Sequence, residues 1–207
     1  AGIPGLSKVE PADSYSFNHR VVMEIKSGKD IMNANYFLPD SGNFLCVMIK
    51  DERIKDDFLT VYDIDREAMF TYMDNNGEKV KVGMSFDTES AIDDAMNEAS
   101  VEINATGNTK KILGYNCQEY KMTGEDMTAT IWVTKEVDIR FPSSFYNIKQ
   151  NKKSNNQLWM KDLDGWAMEM VMIDTSKKKP QTITMNCLSI DESSLKIDSN
   201  DYQNMGY

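Results

Sequence analysis

Polar and apolar residues alternate along most of this chain with a period of two, the pattern of strands that bury one face. "FNHRVVMEIK" (17–26) sets Phe17, His19, Val21, Met23 and Ile25 on one side. Asn18, Arg20, Glu24 and Lys26 fall on the other, with Val22 the exception. "SGKD" (27–30) predicts a turn and "IMNANYFL" (31–38) a second strand. "PDSGN" (39–43) ends it, because proline fixes φ and glycine supplies positive φ. "FLCVMIK" (44–50) is apolar nearly throughout, which predicts a strand covered on both faces. After the polar "DERIKDD" come "FLTVYDI" (58–64), a tight "DR" and "EAMFTYMD" (67–74). "NNGE" (75–78) turns the chain into "KVKVGMSF" (79–86), with Val80, Val82, Met84 and Phe86 on one face. Six strands with short connections predict antiparallel neighbours.

Residues 88–100, "TESAIDDAMNEAS", change period. Ala91, Ile92, Ala95, Met96 and Ala99 form an i, i+4 stripe, and Asp87 or Thr88 caps the first turn, so a helix is predicted. Alternation returns at "VEIN" and at "KILGYNCQEYKM" (111–122), where Leu113, Tyr115 and Cys117 share a face and Gly114 predicts a bulge or close backbone approach. "TGED" (123–126) turns into "MTATIWVTK" (127–135), with Met127, Ala129, Ile131 and Val133 opposed to Thr128, Thr130, Trp132 and Thr134. Residues 136–156 are less periodic and read as a long loop, with one helical turn after Pro142. "QLWMKDLDGWAMEMVMID" (157–174) predicts a hairpin around Asp164-Gly165, its second arm aligning Trp166, Met168, Met170 and Met172. "QTITMNCLSI" (181–190) is the last strand predicted, and the polar tail from Asp191 is expected to fray.

The expected fold is therefore mainly β with minor α. About eleven strands form a curled antiparallel sheet or half-barrel, because a sheet this long must curl, close or split. The predicted helix would lie in its concave face. The chain reads as one domain over 1–207, with an ordered core of about 15–190 and terminal tails. At 207 residues it buries enough surface to fold without a covalent staple.

The net charge of −10 repels phosphate backbones, which argues against nucleic acid as a partner. Two small basic clusters occur, Lys149/Lys152/Lys153 and Lys177–Lys179; the second precedes Pro180 and reads first as a solvated turn, with an anionic-lipid contact as the alternative. Nothing apolar is long enough to span a bilayer as a helix. "AGIPGLSKVEP" lacks the charged and apolar regions of a signal peptide and is consistent with a mature or trimmed N-terminus.

The chemistry-bearing residues are few. Cys46, Cys117 and Cys187 make no C-x-x-C pair, and His19 is the single histidine, so a structural zinc site and any other cofactor are not expected. Cys117 reads first as a small buried hydrophobe. A disulfide with Cys187 and a reactive thiol are the alternatives, and nothing adjacent lowers the thiol pKa. His19 on an apolar face reads as a core or rim histidine. Carboxylates are abundant, yet no facing pair is selected for hydrolysis, and "DNNGE" lacks the spacing of a calcium loop. Fifteen methionines and three tryptophans are a large supply of adaptable apolar surface. It reads first as a Met-rich core; the sharper reading is that part of it lines a pocket for a greasy ligand, with Trp132, Phe145, Tyr146, Trp159, Trp166, Met168 and Met170 as candidate lining residues. The loop 136–156, carrying Phe141, Phe145 and Tyr146, would gate it.

"KKILGYNCQEYKM", then "ATIWVTKEVDI", "DGWAMEMVMID" and "ITMNCLSIDESSLK" together resemble an uncharacterised family of secreted or periplasmic Bacteroidetes proteins, domain of unknown function 4412. Its members in turn resemble the LolA/LolB lipoprotein-carrier superfamily, a curled half-barrel with helical elements in its concave face. The likeness runs from about Phe17 to Ile190, and its most specific part is the Gly114–Tyr115–Cys117 hairpin. The resemblance implies a non-enzymatic role, a lipid or lipidated protein as partner, and export to the periplasm or the periplasmic face of the outer membrane. It brings no catalytic residues, and a lipobox cysteine is not seen. Three readings follow. One is a binding or carrier protein for a lipid, lipoprotein or other apolar ligand. Another is a cell-envelope interaction module with its concave face plugged by the helix 88–100. The last is a hydrolase with dispersed carboxylates.

Overall fold

The computed structural model describes residues 9–50, 58–86, 101–142, 144–145, 160, 163–176 and 178–205. Twelve strands form one open, curled sheet in the order β12-β6-β5-β4-β3-β2-β1-β11-β10-β9-β8-β7. The first six are β1 (Ser14–Ser27), β2 (Asp30–Leu38), β3 (Phe44–Lys50), β4 (Leu59–Asp63), β5 (Ala68–Asn75) and β6 (Glu78–Ser85). They make an antiparallel meander whose turns fall where glycine and asparagine predict them, with positive φ at Gly28, Gly42, Asn76 and Gly77. The second meander comprises β7 (Glu102–Ile112), β8 (Tyr115–Thr123), β9 (Met127–Thr134), β10 (Trp166–Asp174) and β11 (Gln181–Asp198). It returns to the first by pairing β11 with β1. The helix predicted at 88–100 lies outside the described residues.

β3 is covered on both faces, as its unbroken apolar run requires. Leu45 and Cys46 are both fully buried, but in different clusters. One cluster joins Val21, Met23, Leu38 and Leu45 of the first meander to Cys117, Trp166, Met168 and Cys187 of the second. Strands so distant in the sheet order meet only across a concave face. The other cluster gathers Tyr15, Phe17, Phe37, Cys46, Val61, Phe70, Tyr72 and Ile197. Here the outer end of the β1–β11 ribbon folds back over the first meander. Register shifts at Phe17/His19 and Val22/Met23 allow the bend, since a bulge adds local twist. Phe17, expected beside Val21, instead packs edge-on against Phe37 and Phe44 in this second cluster.

Three expectations are corrected. The chain does not fray at Asp191. β11 continues to Asp198, because Leu195 and Ile197 carry the alternation on and Tyr15 and Phe17 supply partners. A 3-10 turn at Ser199–Asp201 and the short parallel β12 (Gln203–Asn204) follow, tying the C-terminal end to β6. Gly114 marks no bulge. Leu113 and Gly114, with φ of 51° and 89°, form the two-residue turn between β7 and β8. Among the described residues the hairpin predicted around Asp164-Gly165 is not formed, because β9 and β11 occupy the two edges of β10. Met160 and Leu163 instead pack on the Met122–Ile131–Met170 cluster.

Candidate functional site

The concave face is floored by side chains whose strands alternate inward: Val21 and Met23 of β1, Tyr36 and Leu38 of β2, Leu45 and Val47 of β3, and Tyr62 of β4. Cys187 and Met185 of β11 and Trp166 and Met168 of β10 complete it from the other meander. Across this floor runs the segment that leaves β9, residues 135–142 and 144–145. Val137 and Ile139 are 8% and 7% exposed, and residues 137–142 belong to no strand. Phe141 sits 4.9 Å from Trp166 and 5.1 Å from Tyr36, ring centre to ring centre. Phe145 stacks on Phe141 at 5.2 Å and meets Tyr62 edge-on at 5.4 Å. This strap bridges the two meanders through aromatic contacts, which favour offset or edge-to-face geometry in this distance range.

Polar groups fasten the strap at its base. Lys135 Nζ lies 2.5 Å from Asp164 Oδ2, and Arg140 Nη2 lies 3.8 Å from Asp164 Oδ1. The salt bridge from Lys135 holds the Asp164 carboxyl below its usual range and raises the Lys135 ammonium. Glu136 accepts from the Asn116 main-chain N–H at 3.0 Å and from its side-chain amide at 2.5 Å.

Beneath the strap burial shapes the titratable groups. Burial, with Tyr62 nearby, pushes the Tyr36 phenol up to about 12. Burial likewise pushes the Cys187 thiol up to about 11, opposed in part by the indole N–H of Trp166 beside it. Cys117 is raised by burial too. All three cysteines are free, and Cys117 and Cys187 share the concave cluster. Burial thus favours the neutral form of these thiols. His19 pairs with Asp40 at 2.7 Å on the rim. Among the described residues no three His, Cys, Asp or Glu side chains are grouped to hold a metal ion.

Of the candidate lining residues, Phe145, Trp166 and Met168 come together under or within the strap. Met170 belongs to the adjoining Met122–Ile131 cluster, joined to the first through Met185. Trp132 packs at the margin, with the Lys110 ammonium 4.3 Å above its ring and Lys110 also paired to Glu169. Tyr146 and Trp159 lie outside the described residues. Sequence reasoning missed Tyr36, Tyr62, Val137 and Ile139. "VDIRF" (137–141) did carry a signal, a short alternation of Val137, Ile139 and Phe141 inside an apparent loop.

Comparison with known proteins gives limited likeness. Two structures of PNGF-II, in the P21 and C2 space groups, align with TM-scores of 0.44 and 0.42 at 12% identity. Each alignment covers 91% of this chain and 31% or 30% of that one, so the chain spans about a third of PNGF-II's length. No curated protein matches. A family model matches residues 17–200, nearly the whole sheet, and the chain belongs to that family, the domain of unknown function DUF4412.

Proposed function

We propose that this domain is a non-enzymatic binding protein of the cell envelope. It takes a lipid, or the acyl chains of a lipidated protein, on its concave face in competition with the strap. The observation that supports this reading is the way the strap is seated. Phe141 and Phe145 remain half-buried and rest on Tyr36, Tyr62 and Trp166, with Met168 and Met185 in the same cluster. An acyl chain would recover much the same dispersion contacts from that floor, and methionine adapts readily to a changed occupant. The envelope location is supported by the family resemblance alone.

The second reading is an interaction module whose concave face stays filled. The burial of Val137 and Ile139 favours it, and the plug would then be the strap. The double variant Phe141→Ala/Phe145→Ala separates the two, because they expect opposite signs. If the strap competes with ligand, weakening it raises the binding-competent fraction. A fluorescent fatty acid should then bind roughly 10–100-fold more tightly than to wild type. If the strap is core, the variant loses stability and takes up no probe. Native mass spectrometry of protein purified from its own envelope gives a second test: a stoichiometric adduct of lipid mass is expected, and a clean apo mass counts against the carrier reading.

A further inference from the structure

Beneath the strap one buried donor lacks an acceptor. Trp166 is 4% exposed, and among the described residues its indole N–H has no hydrogen-bond partner. An indole nitrogen only donates, and a buried tryptophan usually finds an acceptor, because an orphaned N–H forfeits the hydrogen bonds it made in water. Cys187 Sγ lies beside it, but a thiol accepts weakly, and this one turns its own S–H to Ser189 O at 3.6 Å. Phe141 does not serve either. Its ring centre is 4.9 Å from that of Trp166, and the two planes are only 38° from parallel. The N–H lies in the indole plane, so a ring this nearly stacked on the indole does not receive it. The strap thus covers this part of the floor with apolar surface and leaves the donor unpaired.

The groups around Trp166 share its character. Tyr36 of β2 meets Phe141 at 5.1 Å, and Tyr62 of β4 meets Phe145 at 5.4 Å. Burial raises both phenols, so each keeps its proton and remains a neutral donor. The cations nearby are engaged elsewhere. Lys135 and Arg140 turn to Asp164, and His19 on the rim turns to Asp40. Asp138 and Arg140 alternate with the buried Val137 and Ile139 and are exposed. An occupant of the floor therefore meets uncharged donors and no free cation among the described residues.

This sorts the possible apolar ligands. An ionised carboxylate would be buried with no opposite charge, which is costly. A plain hydrocarbon would replace the contacts of Phe141 and leave the indole N–H as it is. A neutral carbonyl on an acyl chain replaces those contacts and also pairs the donor, so it alone gains an interaction that the strap does not make. We infer that the concave face selects acyl chains carried as uncharged esters or amides, with the carbonyl oxygen accepting from Trp166 Nε1–H where Phe141 now lies. The inference rests on the reading that this face binds lipid, and adds the chemistry of the group next to the chain.

The test is fluorescence titration of the full chain at neutral pH with three probes: pyrenyl-dodecanoic acid, its methyl ester, and dodecylpyrene. Each affinity is referred to the same probe's partition into phosphatidylcholine vesicles, which removes differences in bulk hydrophobicity. On that scale the ester should bind at least about tenfold more tightly than the acid or the hydrocarbon. Trp166→Phe keeps an aromatic ring and removes the N–H. It should weaken ester binding about tenfold, the upper range for one net hydrogen bond, and leave dodecylpyrene within about twofold. Equal affinity for ester and hydrocarbon, or for ester and acid, overturns the inference while the lipid-binding reading stands. So does an equal loss of ester and hydrocarbon in Trp166→Phe. If that variant does not fold, the comparison of probes on the wild-type protein decides alone. Binding of none of the three overturns both readings together.

Discussion

At the scale of single residues, backbone conformation decides more than side-chain chemistry. Leu113 holds a φ of 51° with its side chain half exposed, so it bears left-handed strain and returns little packing. That conformation costs an ordinary residue about 1–2 kcal/mol, and glycine's greater unfolded entropy offsets part of the relief. Leu113→Gly should therefore stabilise the domain by about 0.5–1 kcal/mol. Gly165 is the opposite case. Its φ is 140°, and a Cβ there would lie 2.3 Å from Thr134 O and 2.8 Å from Val133 Cγ1. Backbone cannot yield as a flexible side chain can, so Gly165→Ala should cost about 2–4 kcal/mol. Urea denaturation of the two variants checks both signs, and equal midpoints would refute the assignment. Asp164-Gly165 was legible as a place needing special backbone. Its purpose was not, because glycine signals close approach as readily as a hairpin turn.

At the scale of elements, the strands were legible and the strap was not. The alternation of β9, Met127 to Val133 against Thr128 and Thr130, reads directly as core against outer face, because each strand residue has one choice of two sides, whereas Trp132 and the buried Thr134 further along depart from it. "VDIRF" has the same short period but sits between charged residues and a proline, so it reads as loop. An extended segment that buries its side chains on a sheet without joining it leaves no distinct pattern. Cysteine chemistry gives a measure of how firmly it sits. With its thiol pushed up to about 11, far less of Cys187 is thiolate at pH 8 than of a free thiol. Burial favours the neutral thiol, so its contribution to stability is complete below about pH 8.5 and fades as pH rises through about 11. At pH 8, iodoacetamide should reach Cys187 only when the strap opens. Phe141→Ala/Phe145→Ala should accelerate its alkylation at least tenfold. Cys46, in the opposite cluster, should be unaffected. Mass spectrometry of the alkylated peptides reads both sites at once. Equal acceleration would mean that the variant loosens the whole fold.

At the scale of the whole molecule, each meander follows from short turns, but the pairing that unites them does not. β1 lies beside β11, the last long strand, and no hairpin rule links segments so far apart in sequence. The C-terminal tail secures that union. Ser199 N–H donates to Asp13 O at 2.8 Å, Lys81 Nζ donates to Ser199 O at 2.8 Å, and Tyr72 Oη and Ser199 Oγ share a buried hydrogen bond at 2.8 Å. The Tyr202 ring meets Tyr72 at 4.9 Å, and β12 pairs with β6. Beneath them Asp63, nearly fully buried, accepts from Tyr15 Oη at 2.7 Å and from Arg66 at 3.0 Å. A tail that reads as polar and loose thus bolts the β1–β11 ribbon onto the first meander. Truncation after Asp198 strips several buried hydrogen bonds and one aromatic pair, at about 1 kcal/mol each, and uncovers Tyr72. The loss should total about 3–5 kcal/mol, seen as a lower urea midpoint. Tyr72→Phe removes one hydrogen bond of the set and should cost only about 1–1.5 kcal/mol. If truncation costs no more than Tyr72→Phe, the tail merely lies against a sheet that is stable without it.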